Sequence, residues 1–120
     1  MHELSIALSM IEMAEGEASR AEQRVTALHL KLGPLSGVVK EALLFSYEIA
    51  CQGTALEGSR LVIEDVAVKI HCAQCNREEL AESIQSLRCT RCGDLSGTVT
   101  QGRELEVVAL ELEEIEELVS

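Results

Sequence analysis

Tryptophan is absent from these 120 residues, Phe45 and Tyr47 are the only aromatics, and no apolar run reaches the roughly 18 residues of a membrane-spanning helix. The first residues lack both a basic stretch and an unbroken apolar segment, so no secretory signal is marked and a soluble, cytoplasmic protein is expected. Basic side chains are scarce too. Ten Lys and Arg stand against 21 Asp and Glu, for a formal charge of −11. The closing stretch RELEVVALELEEIEELVS holds seven glutamates after Arg103 and no further base. Such a surface repels phosphate backbones, which argues against nucleic acid as the main partner. There is also no phosphate-cradling glycine loop, no internal repeat, no low-complexity linker and no Ser/His/Asp set with a spacing signal.

What the chain has is aliphatic bulk, enough for one domain with a small subdomain, and cysteine. Four of its five cysteines form two pairs with two residues inside each: Cys72 and Cys75 in HCAQC, Cys89 and Cys92 in RCTRCG. Two intervening residues let a tight turn aim both sulfurs at one point, and thirteen residues between the pairs allow the second turn to come opposite the first. Four thiolates can then surround a tetrahedral Zn²⁺. In a reducing compartment this outweighs two redox dithiols or four inert buried thiols, although the same ligand set also suits iron. Gly93, just after the second pair, fits a turn that needs positive φ. Cys51 ends an apolar helical pattern and reads as a small buried hydrophobe.

Around the cysteines the pattern gives two helices and three strands. Leu4, Ala7, Leu8, Ile11, Ala14 and Ala18 recur at helical spacing and predict a first helix starting almost at residue 1. RVTALHLKLG alternates, with Thr26, Leu28, Leu30 and Leu32 on one side and Val25, Ala27, His29 and Lys31 on the other, before a Gly33-Pro34 turn. His29 is structural in this reading. Ser36 is placed to cap a second helix through about Ala50, carrying Val39, Ala42, Leu43 and Ile49, with Gly53 as the stop. SRLVIEDVAVKIHC reads as one strand running into the first cysteine pair, and ELEVVALELEEI as a third strand, with helix as a rival for its last residues. The expected fold class is therefore α+β: a small three-stranded sheet with two helices, carrying an inserted four-cysteine, zinc-ribbon-like module on a two-stranded stalk.

The opening MHEL admits a chemical reading beside a bland one. An imidazole at position 2, the backbone nitrogen of His2 and the amine of Met1 lie within reach of one ion. If the amide gives up its proton, a five-membered and a six-membered chelate ring close in one plane. The Glu3 amide, the Glu3 carboxylate or a partner's group is the fourth donor. Planar nitrogen donors suit Ni²⁺ or Cu²⁺. The bland reading is a solvated histidine followed by a helix-capping glutamate.

MHELSIALSMI, LGPLSGV, EALLFSYEIACQGTALEGSRLVIE, the two cysteine pairs with Gly93, and ELEVVALELEE, in this order over essentially the whole chain, resemble the hydrogenase nickel-incorporation proteins of the HypA/HybF family. The resemblance implies nickel ligation by His2, with Met1 and Glu3 as further donors, and structural zinc on Cys72, Cys75, Cys89 and Cys92. It implies delivery of nickel, as cargo, to the large-subunit precursor of [NiFe] hydrogenase, with a HypB-type GTPase as partner and urease maturation as a side role. Many members carry proline where Thr90, and Lys40 or Glu41, stand here; neither change touches a donor atom. A histidine flanking a cysteine pair in some members is matched here by His71, which equally well ends a strand.

Organisation follows from this: a nickel-binding α/β domain over residues 1–69, completed by strand 104–120, and a zinc-binding module over 70–103, in a chain that is a monomer or a homodimer and not an enzyme. The competing function is a zinc-ribbon adaptor for nucleic acid or transcription machinery, since Arg77, Arg88, Arg91 and Arg103 balance Glu78, Glu79, Glu82 and Asp94 within the loop. The loop has no aromatic on which a base could stack, and the whole-chain charge opposes it. A catalytic zinc is weaker still, because four thiolates leave no open position for water.

Overall fold

A computed structural model describes residues 2–95 and 97–115. Two helices and six strands follow in the order α1 (Glu3–Ala21), β1 (Gln23–Leu32), α2 (Lys40–Cys51), β2 (Arg60–Asp65), β3 (Lys69–Cys72), β4 (Arg77–Leu80), β5 (Thr98–Gln101) and β6 (Leu105–Glu114). The strands form two three-stranded sheets, ordered β2-β1-β6 and β4-β3-β5. The class is α+β, as expected, with a cysteine module inserted between β2 and β6. By contact density the chain falls into two units. The first takes in the described residues up to Leu30, Val38–Ile63 and those from Val107 on; the second takes in Lys31–Gly37 and Glu64–Glu106.

In the first unit, α1 buries Ala7, Met10, Ile11, Ala14 and Ala18. Three alanines in that stripe let another helix approach closely, and α1 packs against α2. Leu4 and Leu8 lie on the flank of the stripe and stay about half exposed, while Met10 takes a place the spacing did not assign to it. Glu22 ends the helix in the left-handed conformation, its N–H reaching the carbonyls of Ala18 and Ser19. The second helix buries Leu43, Tyr47 and Cys51, one residue per turn. Val39 and Ile49, expected on its inner face, are exposed. Nor does Ser36 cap it: the helix begins three residues later than a Ser36 cap requires, behind Val39, which has no side-chain acceptor. Gly53, at φ +77°, ends it as expected. Leu56, in the turn that follows, is fully buried.

β1 and β6 pair antiparallel. In the first unit Arg24 meets Glu113 and the Thr26 hydroxyl donates to the Glu111 carbonyl, so partners rise along one strand as they fall along the other. The third strand thus returns to the first sheet, and the helix alternative does not hold through Glu114. Residues 116–120 lie outside the described residues.

The expected single strand SRLVIEDVAVKIHC is two strands, β2 and β3, in different sheets. Neither Gly nor Pro marks the turn between them, so the run carries no turn signal. β3 is the centre of the second sheet, antiparallel to β4 from Lys69↔Leu80 to Cys72↔Arg77 and to β5 from Lys69↔Gln101 to His71↔Thr98. β4 (REEL) and β5 (TVTQ) are short and polar, which is why hydrophobic periodicity missed them.

Within the second unit the segment after β1 is tied to the approach to β6: Gly33 N–H donates to the Glu104 carbonyl (2.8 Å) and Leu35 N–H to the Gly102 carbonyl (2.7 Å). A Cβ on Gly33 would stand 2.0 Å from the Gly102 carbonyl oxygen, a backbone atom that cannot swing aside. Gly33→Ala is therefore expected to destabilise the protein by about 3 kcal/mol, at the upper end for overpacking. A lowered midpoint of urea unfolding checks this, and an unchanged midpoint would show that the two turns can separate freely.

Candidate metal centre

The metal centre is built by two turns, one after β3 and one after residue 88. Cys72 is the last residue of β3. The chain then turns so that Asn76 N–H reaches the Cys72 carbonyl (2.8 Å) and Cys75 N–H points at the Cys72 sulfur (3.4 Å). Asn76 takes φ +54° to close this turn, a conformation that asparagine tolerates better than most residues. The second turn repeats the device: Gly93 N–H donates to the Cys89 carbonyl (2.9 Å), with Gly93 at φ +80° as its position required. Ala81 forms a bridge with Cys89, and Thr90 N–H reaches the Leu80 carbonyl, so the end of β4 holds the second turn in place.

These turns bring the sulfurs of Cys72, Cys75, Cys89 and Cys92 within 4.8 Å of one another. Cys72 to Cys92 is 3.5 Å and Cys75 to Cys89 is 4.0 Å. A tetrahedron with metal–sulfur bonds of about 2.3 Å has edges of about 3.8 Å, so the donor set fits zinc. Among the described residues this is the one cluster of three or more metal-ligating side chains. Cys72 and Cys89 are buried, Cys75 is half-buried and Cys92 is exposed. Buried Ile70 packs with the two buried cysteines, and Val99 and Ala81 lie against them.

The thiols do not share one proton affinity. Desolvation, and then its cysteine neighbours, pushes Cys75 up to about 12. Cys89 is held below the ordinary thiol value, first by the Cys92 backbone N–H. Around them Glu79 receives both Arg77 and Arg91, the latter at 3.7 Å, and Arg88 donates to the Gly93 carbonyl at 3.2 Å.

The other singled-out residues lie elsewhere. His71 alternates with Cys72 on β3, is exposed, and stands outside the cysteine cluster. His29 Nε2 is 3.4 Å from Glu111, which also receives Arg60, so it has the structural place expected of it. Cys51 is buried with its thiol raised by that burial, as a small hydrophobe. His2 is the exposed N-cap residue of α1: its carbonyl accepts from Ile6 N–H (3.1 Å), and its imidazole makes no capping hydrogen bond. Glu3 begins α1, and its carboxylate accepts from Val39 N–H at 3.3 Å. Its own backbone N–H, and then that of Val39, holds this carboxyl below the usual range. Met1 lies outside the described residues. No helix among the described residues is long and apolar enough to cross a membrane.

A small α+β protein whose paired CxxC turns close a tetrathiolate site belongs, as a class, with proteins that hold a metal to keep their shape. Comparison with known proteins narrows the class. The family model described as hydrogenase/urease nickel incorporation, metallochaperone, hypA matches residues 1–112. The hydrogenase maturation factor HypA of Roseiflexus sp. is 46% identical over 95% of this chain and 94% of its own, and that of Chloroflexus aurantiacus is 46% identical over 92% and 98%. The solution structure of the Ni metallochaperone HypA from Helicobacter pylori superposes with a TM-score of 0.65 at 22% identity, covering 96% of this chain and 100% of that one. A second solution structure of HypA protein gives 0.71 at 23%, covering 94% and 97%; at such identities these two support the fold alone. The chain belongs to the HypA family.

Metal ligands must be thiolates, so zinc uptake by the metal-free protein is expected to release protons, between about two and four per ion at neutral pH. Titration calorimetry in buffers of different ionisation enthalpy measures that number. Zinc affinity should accordingly rise with pH through the thiol range. Cys72→Ser is expected to lose the zinc and the amide-exchange protection of β3–β5 while the far-ultraviolet signal of the two helices persists; collapse of both would show that the helices depend on the metal.

Proposed function

We propose that this chain is a cytoplasmic nickel metallochaperone that binds Ni²⁺ through His2 and passes it to the large-subunit precursor of [NiFe] hydrogenase, alongside a HypB-type GTPase. In this reading zinc, held by Cys72, Cys75, Cys89 and Cys92, is structural. The task is transfer rather than catalysis. The observation that carries the reading is the family match over residues 1–112 together with a tetrathiolate cluster that, once metal is bound, leaves no donor position free. A cargo ion that must be released needs another site. His2 and the four cysteines fall in different units, which supports a nickel-binding part over residues 1–69 with 104–120 and a zinc module over 70–103.

Helix geometry supports His2 as the centre of the cargo site. The first N–H groups of a helix have no carbonyl one turn back to bind. The backbone nitrogens of His2 and Glu3 sit at that position in α1, so losing their protons to nickel breaks no backbone-to-backbone bond of the helix, and Glu3 gives up only the contact of its N–H with its own carboxylate. The imidazole is exposed and its backbone carbonyl already starts the helix, which fixes the base of the side chain. Met1 and Glu3 complete the donors. A planar set of this kind leaves both axial directions open, so a receiving thiolate can enter and displace the donors one at a time.

Isothermal titration of nickel into zinc-loaded protein tests the assignment. His2→Ala is expected to weaken nickel binding by well over tenfold, more than the roughly 10–100-fold that loss of a supporting residue brings at its low end, with one zinc per chain retained. Unchanged nickel affinity in His2→Ala would refute it.

A further inference from the structure

We infer that Glu3 is a positioning residue for the nickel site: its carboxylate takes the Val39 backbone N–H and so clasps the start of α1, with His2 on it, to the start of α2. The inference rests on the nickel site proposed at His2. Val39, at the N-cap position of α2, offers no side-chain oxygen, and that helix has no capping hydrogen bond of its own. In the usual local arrangement a glutamate three residues into the helix reaches back to the N-cap N–H. That place is held here by Ala42, which cannot. Glu3, 36 residues earlier in the chain, does it instead, with Oε2 at 3.3 Å from Val39 N.

One carboxylate thus stands at two helix N-termini, the first turn of α1 and the start of α2, where both helix dipoles favour a negative charge. The packing of α1 on α2 gives the contact a fixed frame. Two consequences follow for nickel. In this reading Glu3 donates to the metal through its backbone nitrogen while Oε2 of its carboxylate stays on Val39. And the first turn of α1, with His2 at its start, is held before the ion arrives, so nickel does not bear the full entropy cost of fixing that turn.

Zinc-loaded full-length protein with Ni²⁺ as probe separates these roles through Glu3→Ala, Glu3→Gln and His2→Ala. In nickel-free protein, Glu3→Ala should speed hydrogen exchange at the Val39 amide. With nickel bound it should raise the rate of metal loss to a chelator about tenfold, the low end for removing a group that orients a metal ligand, with the d–d absorption bands unchanged. Glu3→Gln keeps a carbonyl oxygen for Val39 and should stay within about threefold of the parent, again with unchanged bands. Altered bands in Glu3→Gln would make the carboxylate a ligand and overturn the inference. So would parental nickel kinetics in Glu3→Ala when His2→Ala abolishes binding, which would leave the His2 site itself standing. Nickel binding that survives His2→Ala would instead remove the site the clasp is meant to serve.

Discussion

Four sulfurs converging on one point set the terms for the second unit of this protein. The core around the cysteines consists of Ile70, Cys72 and Cys89, with Cys75, Ala81 and Val99 against them, so half of these side chains are ligands. Burying an aliphatic side chain contributes about 1.5–3 kcal/mol, whereas ordering the backbone costs about 1–2 kcal/mol for every residue. Three short strands and two turns cannot close that gap by packing. Structural zinc contributes about 10–16 kcal/mol in comparable small sites, which makes the ion the larger part of this core. The strand pairings, the left-handed Asn76 and the left-handed Gly93 are the means by which the backbone accepts that geometry.

The first unit obeys another rule. Its helices meet through alanine and single-turn spacing, and it has conventional buried side chains such as Leu28, Leu30 and Leu43. Its core is made by packing, and the nickel proposed to bind at the start of α1 would be free to leave without unmaking it. Chemistry divides the ions the same way. Soft thiolates in a closed tetrahedron suit zinc, and a planar set of nitrogens at a helix start suits nickel. The acidic surface, with a charge of −11, draws cations toward the protein without choosing among them, so selectivity has to come from the donors.

What the sequence made legible was whatever depends on neighbours along the chain. Cysteine pairs with two residues between them, a glycine after the second pair, the two helices and the strands β1 and β6 are local patterns, and the structure has them, although β1 buries residues of both its sides. What stayed hidden depends on distant partners. β4 and β5 are strands because β3 offers both its edges, not because REEL or TVTQ is apolar. The division of SRLVIEDVAVKIHC stayed hidden, since neither Gly nor Pro stands between its halves. Ser36 looked like the cap of α2 because it lies close in sequence, whereas the partner of Val39 comes from 36 residues away. Leu4, Leu8, Val39 and Ile49 matched the helical period yet lie off the buried stripes, for the period fixes a face only to within the width of its neighbours.

The central claim is that one chain holds two metals in two chemically different sites. X-ray absorption at the zinc and nickel edges of a single sample, loaded with one equivalent of each ion, tests it most directly. The zinc edge should show four sulfurs at about 2.3 Å and the nickel edge only nitrogen and oxygen neighbours. Sulfur around the nickel, with zinc displaced from its thiolates, would mean that the cysteines carry the cargo and would contradict the account.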